Sequence, residues 1–315
     1  MNNPHANELP LSLLNFSTDC TLLDEEYSAK SIITLHPGDR IHLLRTIPTG
    51  EARLVVTSPP YNIGKKYERR LHLKDYLSEQ RFTIEECHRV LADDGSICWQ
   101  VGNYVTKNGE IFPIDVWLYP IFKELGFKLR NRIIWRFGHG MHLSKRFSPR
   151  YETIMWFTKS DNYVFNLDAV RIPQKYPGKR HYRGPRKGRY SGNPLGKNPE
   201  DVWEIPNVKS AHPEKTIHPC QFPIELIERL VLSMTSGGDL VVDPYAGVGS
   251  ALCAAILHGR RAAGAENYAE YVHIARERLI AAYEGRLRYR PMGTPIYTPK
   301  PGDRLTRRLP ELDLM

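Results

Sequence analysis

Short apolar runs alternate with amphipathic stretches along most of this chain, and prolines, glycines and acidic residues punctuate them. Leu54, Val55 and Val56 form a β-branched run that suits a buried strand. Pro59 and Pro60 end it, because neither can donate to a sheet ladder. Leu240, Val241 and Val242 repeat the pattern and stop at Asp243 and a Gly-rich turn. Residues 96–100 and 261–265 read as further strands, with Asp93-Asp94-Gly95 as a turn before the first. Residues 127–137 and 151–158 predict an antiparallel edge pair, the second apolar at alternate positions. Helical patterns cover residues 41–47, 82–91, 116–125 up to Gly126, a run behind Pro223, 248 to about 258 closed by Gly259, and 269–283. The whole predicts an α/β fold with a mostly parallel sheet of about seven strands and no internal repeat. Residues 1–30 show no period and read as an arm, 63–76 as a mobile basic loop, and 286–315 as an Arg- and Pro-rich tail on the surface.

Two strand ends carry the candidate chemistry. After residues 54–56 come a hydroxyl at Ser58, a ledge of carbonyls without amide donors at Pro59-Pro60, and an aromatic ring at Tyr61. The carboxyl edge of a parallel sheet is where such folds bind ligands. Residues 240–250 read Leu-Val-Val-Asp-Pro-Tyr-Ala-Gly-Val-Gly-Ser, a strand, a turn and the opening of a helix. Gly247 and Gly249 permit positive φ and close approach of a ligand to the backbone. About twenty residues further on, a second strand ends in Glu266, where a carboxylate can accept bonds from ribose hydroxyls. The turn is not a dinucleotide fingerprint, because Leu252 stands where the third Gly or Ala would be. His218-Pro219-Cys220-Gln221-Phe222-Pro223 precedes one helix, and Gly38-Asp39 lies upstream of the first strand.

Ser58-Pro59-Pro60-Tyr61 resembles the catalytic tetrapeptide of the amino-methyltransferases that modify exocyclic nitrogens of DNA bases, and Asp243 to Ser250 resembles their S-adenosylmethionine loop, with Tyr245 in place of Phe. The resemblance covers residues 35–160 and 200–285 and implies a Rossmann-like methyltransferase fold. The tetrapeptide precedes the cofactor loop, the reverse of the usual methyltransferase order, which matches the circularly permuted beta group of that family. By resemblance, Ser58, Pro59, Pro60 and Tyr61 would be catalytic. Asp39, Thr57, Pro219, Asp243, Pro244, Tyr245, Ala246, Gly247, Gly249, Ser250, Glu266 and Asn267 would hold S-adenosylmethionine. The Ser58 hydroxyl and the Pro59 carbonyl would accept the two hydrogens of an amine whose lone pair is delocalised into its ring. That is catalysis by positioning and electrostatics, with no metal and no covalent intermediate. Tyr61 would stack on a base flipped out of the duplex. Ser at the first position goes mostly with cytosine N4 and Asp with adenine N6, which favours N4-methylcytosine, with N6-adenine as the alternative. An RNA amino-methyltransferase and a DNA-binding protein with a dead pocket are the other readings.

The net charge of +9 sharpens this picture. Residues 169–199 hold nine Lys and Arg and no acid, so this stretch equals the whole excess. Lys179, Arg180, Arg183, Arg186, Lys187 and Arg189 are interleaved there with Tyr176, His181, Tyr182 and Tyr190, a composition suited to a polyanion. In the permuted family the target-recognition region sits here, so double-stranded DNA is the expected partner. The divisions that follow are an arm at 1–30, a catalytic half at 31–165, a recognition insert at 166–212, a cofactor half at 213–285 and a tail at 286–315. Five scattered cysteines without a Cys-x-x-Cys indicate neither a disulfide frame nor a zinc site and suit a reducing compartment. No apolar run is long enough to span a bilayer and no signal peptide is visible. The expected setting is the cytoplasm of a prokaryote, in a restriction–modification system with a cognate endonuclease.

Overall fold

The computed structural model describes residues 20–303 and 306, except 66, 67, 69, 107, 139 and 141. In chain order the elements are β1 (Thr21–Asp24), β2 (Ser31–His36), α1 (Arg40–Thr46), β3 (Ala52–Thr57), α2 (Leu73–Val90) and β4 (Leu91–Val101). There follow β5 (Asn103–Val105), β6 (Ile111–Pro113), α3 (Ile114–Glu124), β7 (Lys128–Arg136), β8 (Tyr151–Thr158) and β9 (Val202–Glu204). The chain continues through α4 (Ile224–Met234), β10 (Leu240–Asp243), α5 (Ser250–Leu257), β11 (Arg261–Ala265) and α6 (Ala269–Tyr283).

The main sheet has nine strands in the order β1-β2-β11-β10-β3-β4-β8-β7-β9. Pairing is parallel from β1 through β4, antiparallel around β8, and parallel again between β7 and β9. The expected α/β fold is therefore present, with two strands more than anticipated. Three of the nine strands were not located in the sequence: β2, which lies inside the sheet, and two short edge strands, β1, in the stretch expected to be an arm, and β9, which covers the flank of β7. Residues 1–19 of the expected arm lie outside the described residues.

Continuous apolar runs are needed because both faces of the sheet are covered. Leu54 and Val56 face a layer containing α4, α5 and α6, while Val55 faces the opposite layer of α1, α2 and α3. Helix α5 is buried along almost its whole length, which its Ala-rich sequence permits. Its N-cap is Gly249 at φ 76°, where a Cβ would meet the Ala275 Cβ at 3.3 Å. Close packing of α5 on α6 thus selects glycine there.

Several local expectations shift. Helix α2 begins at Leu73, so the last part of the expected basic loop is helical. Residues 66, 67 and 69 of that loop lie outside the described residues. The expected turn at Asp93-Asp94-Gly95 is absorbed into β4 as an irregularity, because Ala52 pairs with Leu91 and Leu54 with Ser96. The start of the expected surface tail is tied to the core rather than laid over it. Buried Glu214 accepts from the Arg290 amide at 3.2 Å, Glu228 accepts from the Met292 amide at 2.7 Å, and Arg290 forms an ion pair with buried Glu225. All five cysteines are free, and Cys98 and Cys253 are buried.

Candidate active site

Strands β3 and β10 lie side by side, with Leu54 opposite Val241 and Val55 opposite Val242. Their carboxyl ends therefore bring the Ser58 turn and the Gly-rich turn to one place. At that edge is a cavity of about 360 Å³, within the range of roughly 300–1,000 Å³ that encloses small ligands. Ser58, Pro59, Pro60 and Tyr61 form one wall, and Pro244, Tyr245, Ala246, Gly247 and Ser250 form another, with Glu266 and Asn267 at its end. Asp39, Thr57, Pro219, Asp243 and Gly249 do not line it. Asp39 instead caps α1, accepting from the Ile41 amide at 2.8 Å.

The two halves are joined by a buried bond, in which the Thr57 hydroxyl donates to Asp243 Oδ1 at 2.5 Å. The same oxygen accepts from the Tyr245 amide at 3.0 Å. Burial raises the Asp243 pKa to about 7, against the pull of those two donors. Its other carboxylate oxygen is buried and has no hydrogen-bond partner among the described residues. Glu266 accepts from the amides of Gly247 at 2.9 Å and Tyr268 at 2.8 Å, which fixes its carboxylate against the turn, while burial raises its pKa. A turn with Gly247 at φ 53° and a braced acid that lines the cavity fit a ligand that carries hydroxyl groups beside a close-approaching chain, as S-adenosylmethionine does.

His218 also faces the cavity. Its Nδ1 accepts from the Cys220 amide at 3.2 Å, which leaves the proton of the neutral ring on Nε2. Burial, with Lys215 and Arg278 nearby, lowers its pKa to about 4, so the ring is neutral at neutral pH. A Cβ at Gly247 would come within 3.4 Å of His218 Nε2.

At the Ser58 wall the Ser58 and Tyr61 hydroxyls are 3.0 Å apart, and the Tyr61 hydroxyl donates to Glu152 Oε2 at 3.2 Å. Gln100 Nε2 donates to the same oxygen of Glu152. Surrounding protein atoms desolvate the Glu152 carboxyl and raise its pKa, although the residue keeps some accessible surface.

Some groups here were not anticipated from sequence. Tyr76 and Gln80 of α2 and Arg40 of α1 line the cavity. Gln80 and Thr83 lie 3.2 Å from the Tyr245 hydroxyl, giving partners to the one atom that distinguishes Tyr from Phe in that turn. Glu68 also lines the cavity and accepts from the amides of Asn62 and Ile63, both at 2.9 Å, holding Asn62 at φ 59°. Only the loop carboxylate could have been sought from sequence, as an acid among basic residues.

Lys179, Arg180, Arg183, Arg186, Lys187 and Arg189 are all exposed and none lines the cavity. They occupy a loop-rich excursion closed by isolated bridges between Ile172 and Lys197 and between Arg180 and Tyr190. The Arg180 guanidinium lies 4.1 Å from the centre of the Tyr190 ring, and Tyr182 is 87% exposed. Cations and open aromatic faces are thus presented together to solvent.

Comparison with known proteins agrees with this geometry. Residues 52–277 match the N6_N4_Mtase family model, described as DNA methylase. The chain is 51% identical to the type II methyltransferase M.BglII of Bacillus subtilis over 241 residues, 76% of this chain and 67% of that protein. It is 33% identical to the DNA adenine methyltransferase YhdJ of Escherichia coli K12, covering 81% of this chain and 84% of that one. The cytosine-N4-specific PvuII DNA methyltransferase shares the fold at a TM-score of 0.64 and 20% identity, over 82% of this chain and 94% of that one. TTHA0409 of Thermus thermophilus, solved with S-adenosyl-L-methionine, aligns at a TM-score of 0.56 and 30% identity, over 80% of this chain and 96% of that one. With the family model spanning both strand ends that build the cavity, the chain belongs to the N6/N4 DNA methylase family and is an S-adenosylmethionine-dependent DNA methyltransferase.

Proposed function

We propose that this chain methylates the exocyclic N4 of cytosine in duplex DNA, at a specific sequence. The observation that carries the reading is Ser58: a neutral hydroxyl, not a carboxylate, stands beside the Pro59 carbonyl on the cavity wall. A base that has left the stack enters the cavity against the Tyr61 ring. The Ser58 hydroxyl oxygen and the Pro59 carbonyl accept the two amine hydrogens and turn the nitrogen lone pair toward the cofactor side. S-adenosylmethionine, when bound, supplies an electrophilic methyl. Pro244, Tyr245, Ala246, Gly247 and Ser250 hold its methionine part, Asp243, braced by Thr57, and Gly249 shape that turn from behind the cavity wall, and Glu266 with Asn267 hold its ribose. Asp39 and Pro219 act in the same site from its margin.

The 166–212 segment serves as the target-recognition insert. Its exposed cations, Lys179, Arg180, Arg183, Arg186, Lys187 and Arg189, set the register on phosphates. The catalytic segment precedes the cofactor segment in the chain, which supports a circularly permuted arrangement. The name "type II methyltransferase" borne by M.BglII supports a role as the modification partner of an endonuclease, in the cytoplasm of a bacterium. The likeness to YhdJ, named an adenine methyltransferase, favours N6-adenine as the second reading.

Methylation of unmodified duplex DNA, digestion to nucleosides and mass spectrometry separate the two. N4-methylcytosine is the expected product. N6-methyladenine would keep the enzyme and overturn the assignment of the target base. Methylation confined to RNA would overturn the duplex DNA substrate.

A further inference from the structure

The hydrogen-bond chain behind the catalytic wall has a direction, and its far end sets it. An ionised carboxylate accepts and cannot donate. At Glu152 Oε2 it takes one proton from Gln100 Nε2 and one from the Tyr61 hydroxyl. Tyr61 has a single hydroxyl proton, so its oxygen is left to accept from Ser58, 3.0 Å away. The Ser58 proton then points away from the cavity, and its lone pairs remain for a ligand.

We propose that Glu152 is a positioning residue: as the acceptor-only terminus of the chain Ser58–Tyr61–Glu152, it makes Ser58 present an acceptor to the target amine. The inference rests on the reading of Ser58 as the amine's acceptor and holds for a cytosine or an adenine amine alike. Among the described residues no cation pairs with Glu152, so it is not serving as half of a salt bridge. The fold also makes room for this arrangement. A Cβ at Gly102 would lie 3.0 Å from the Tyr61 ring and 3.3 Å from Glu152 Oε1, so a side chain there would press on both partners.

The direction suits the proton that the reaction releases. The target nitrogen forms its bond to the methyl carbon as the sulfonium S–C bond breaks, and sulfur keeps that electron pair as a neutral thioether. The nitrogen, now positively charged, gives one N–H proton to the Ser58 oxygen. Ser58 passes its own proton to Tyr61, and Tyr61 passes its own to Glu152, whose carboxylate becomes neutral. Charge and atoms balance without a further reactant.

Glu152→Gln keeps the shape but adds an amide donor, so the chain can reverse and turn the Ser58 proton into the cavity. Single-turnover methyl transfer should fall by about tenfold to a hundredfold, while S-adenosylmethionine and DNA dissociation constants stay at wild-type values. Tyr61→Phe, which removes the middle hydroxyl and keeps the ring, should lower the rate similarly. Glu152→Gln added to Tyr61→Phe should then have no further effect. A wild-type transfer rate in either single variant, or additive losses in the double variant, overturns the proposal. Ser58→Ala separates the layers. If it transfers at the wild-type rate, the reading of Ser58 fails. If it is slow while Glu152→Gln is not, only the role of Glu152 fails.

Discussion

Thr57 and Asp243, 186 residues apart in sequence, share a buried hydrogen bond of 2.5 Å between the ends of neighbouring strands. One strand leads into the Ser58-Pro59-Pro60-Tyr61 turn and the other into the Gly-rich turn, so this bond ties the two walls of the cavity together. Thr57→Val removes the donor while keeping the shape. The lost buried bond should cost about 1–3 kcal/mol of stability in urea unfolding and should weaken cofactor binding as well. An unchanged unfolding midpoint would show that the strand pairing alone holds the spacing.

The same carboxylate should leave a pH signature. Burial raises the Asp243 pKa from 3.8 to about 7, and the charge of Glu266 adds to it. A group that holds its proton more tightly when folded adds stability at low pH. Here that contribution is complete below 3.8 and is lost as the pH rises to about 7. Asp243→Asn cannot titrate, so the wild type should lose stability relative to this variant across that window, by about 1.4 kcal/mol per pKa unit at most. Urea melts of the cofactor-free protein at a series of pH values measure it, and a pH-independent difference would refute the sign and the cause together.

Ser58→Ala and Tyr61→Ala test the proposed catalytic role of one cavity wall against the proposed cofactor role of the other. Each should depress methyl transfer, on the order of 10²-fold for the loss of one preorganised polar partner, with S-adenosylmethionine binding intact by calorimetry. Full activity in either variant would remove the tetrapeptide from the mechanism.

The basic insert should act through charge. Replacing Arg183, Arg186 and Lys187 with Ala should weaken DNA binding across sequences. If all three meet phosphates, the slope of log affinity against log salt should fall by about 0.9 for each. Cofactor affinity should not move. A salt slope equal to wild type would place the DNA elsewhere.

The bond network at the start of α4 predicts a stability effect far from the cavity. Glu225 and Arg290, 5% and 12% exposed, pair across the start of α4. Arg290→Ala leaves a buried carboxylate without its partner and should cost about 3–5 kcal/mol. Thermal unfolding reads this directly, and a loss below about 1 kcal/mol, the scale of a solvated pair, would mean that solvent reaches Glu225.

What the sequence made legible was the chemistry that backbone rules enforce. A β-branched run stopped by Pro59-Pro60, and another stopped by Asp243 and glycines, can be read as strand ends without coordinates. Which strands are neighbours is another matter. Glu152 stands in a strand that reads as a plain edge, and it meets Tyr61 and Gln100 only because β8 runs antiparallel to β4, with Thr153 opposite Val101. Gln80 is one polar residue on an amphipathic helix, and its partner Tyr245 is 165 residues away. Strands β1 and β9, of four and three residues, are too short for any period to show. The bonds of Arg290 and Met292 to α4 follow from carboxylates that a sequence would place on a solvated helix face.

The adjacency of β3 and β10 also bears on how the molecule is born. During synthesis β3 emerges early, and the strand that will cover its flank comes almost two hundred residues later. Until then the nascent sheet carries an open edge of unpaired amides and carbonyls, which invites wrong partners. Closing so long a loop is slow compared with local helix formation. A ribosome that has delivered Ser58-Pro59-Pro60-Tyr61 has therefore delivered no cavity. On the proposed reading, methylating competence arrives only when Asp243 docks beside Thr57, so interrupted translation should yield inactive fragments instead of a partly active enzyme.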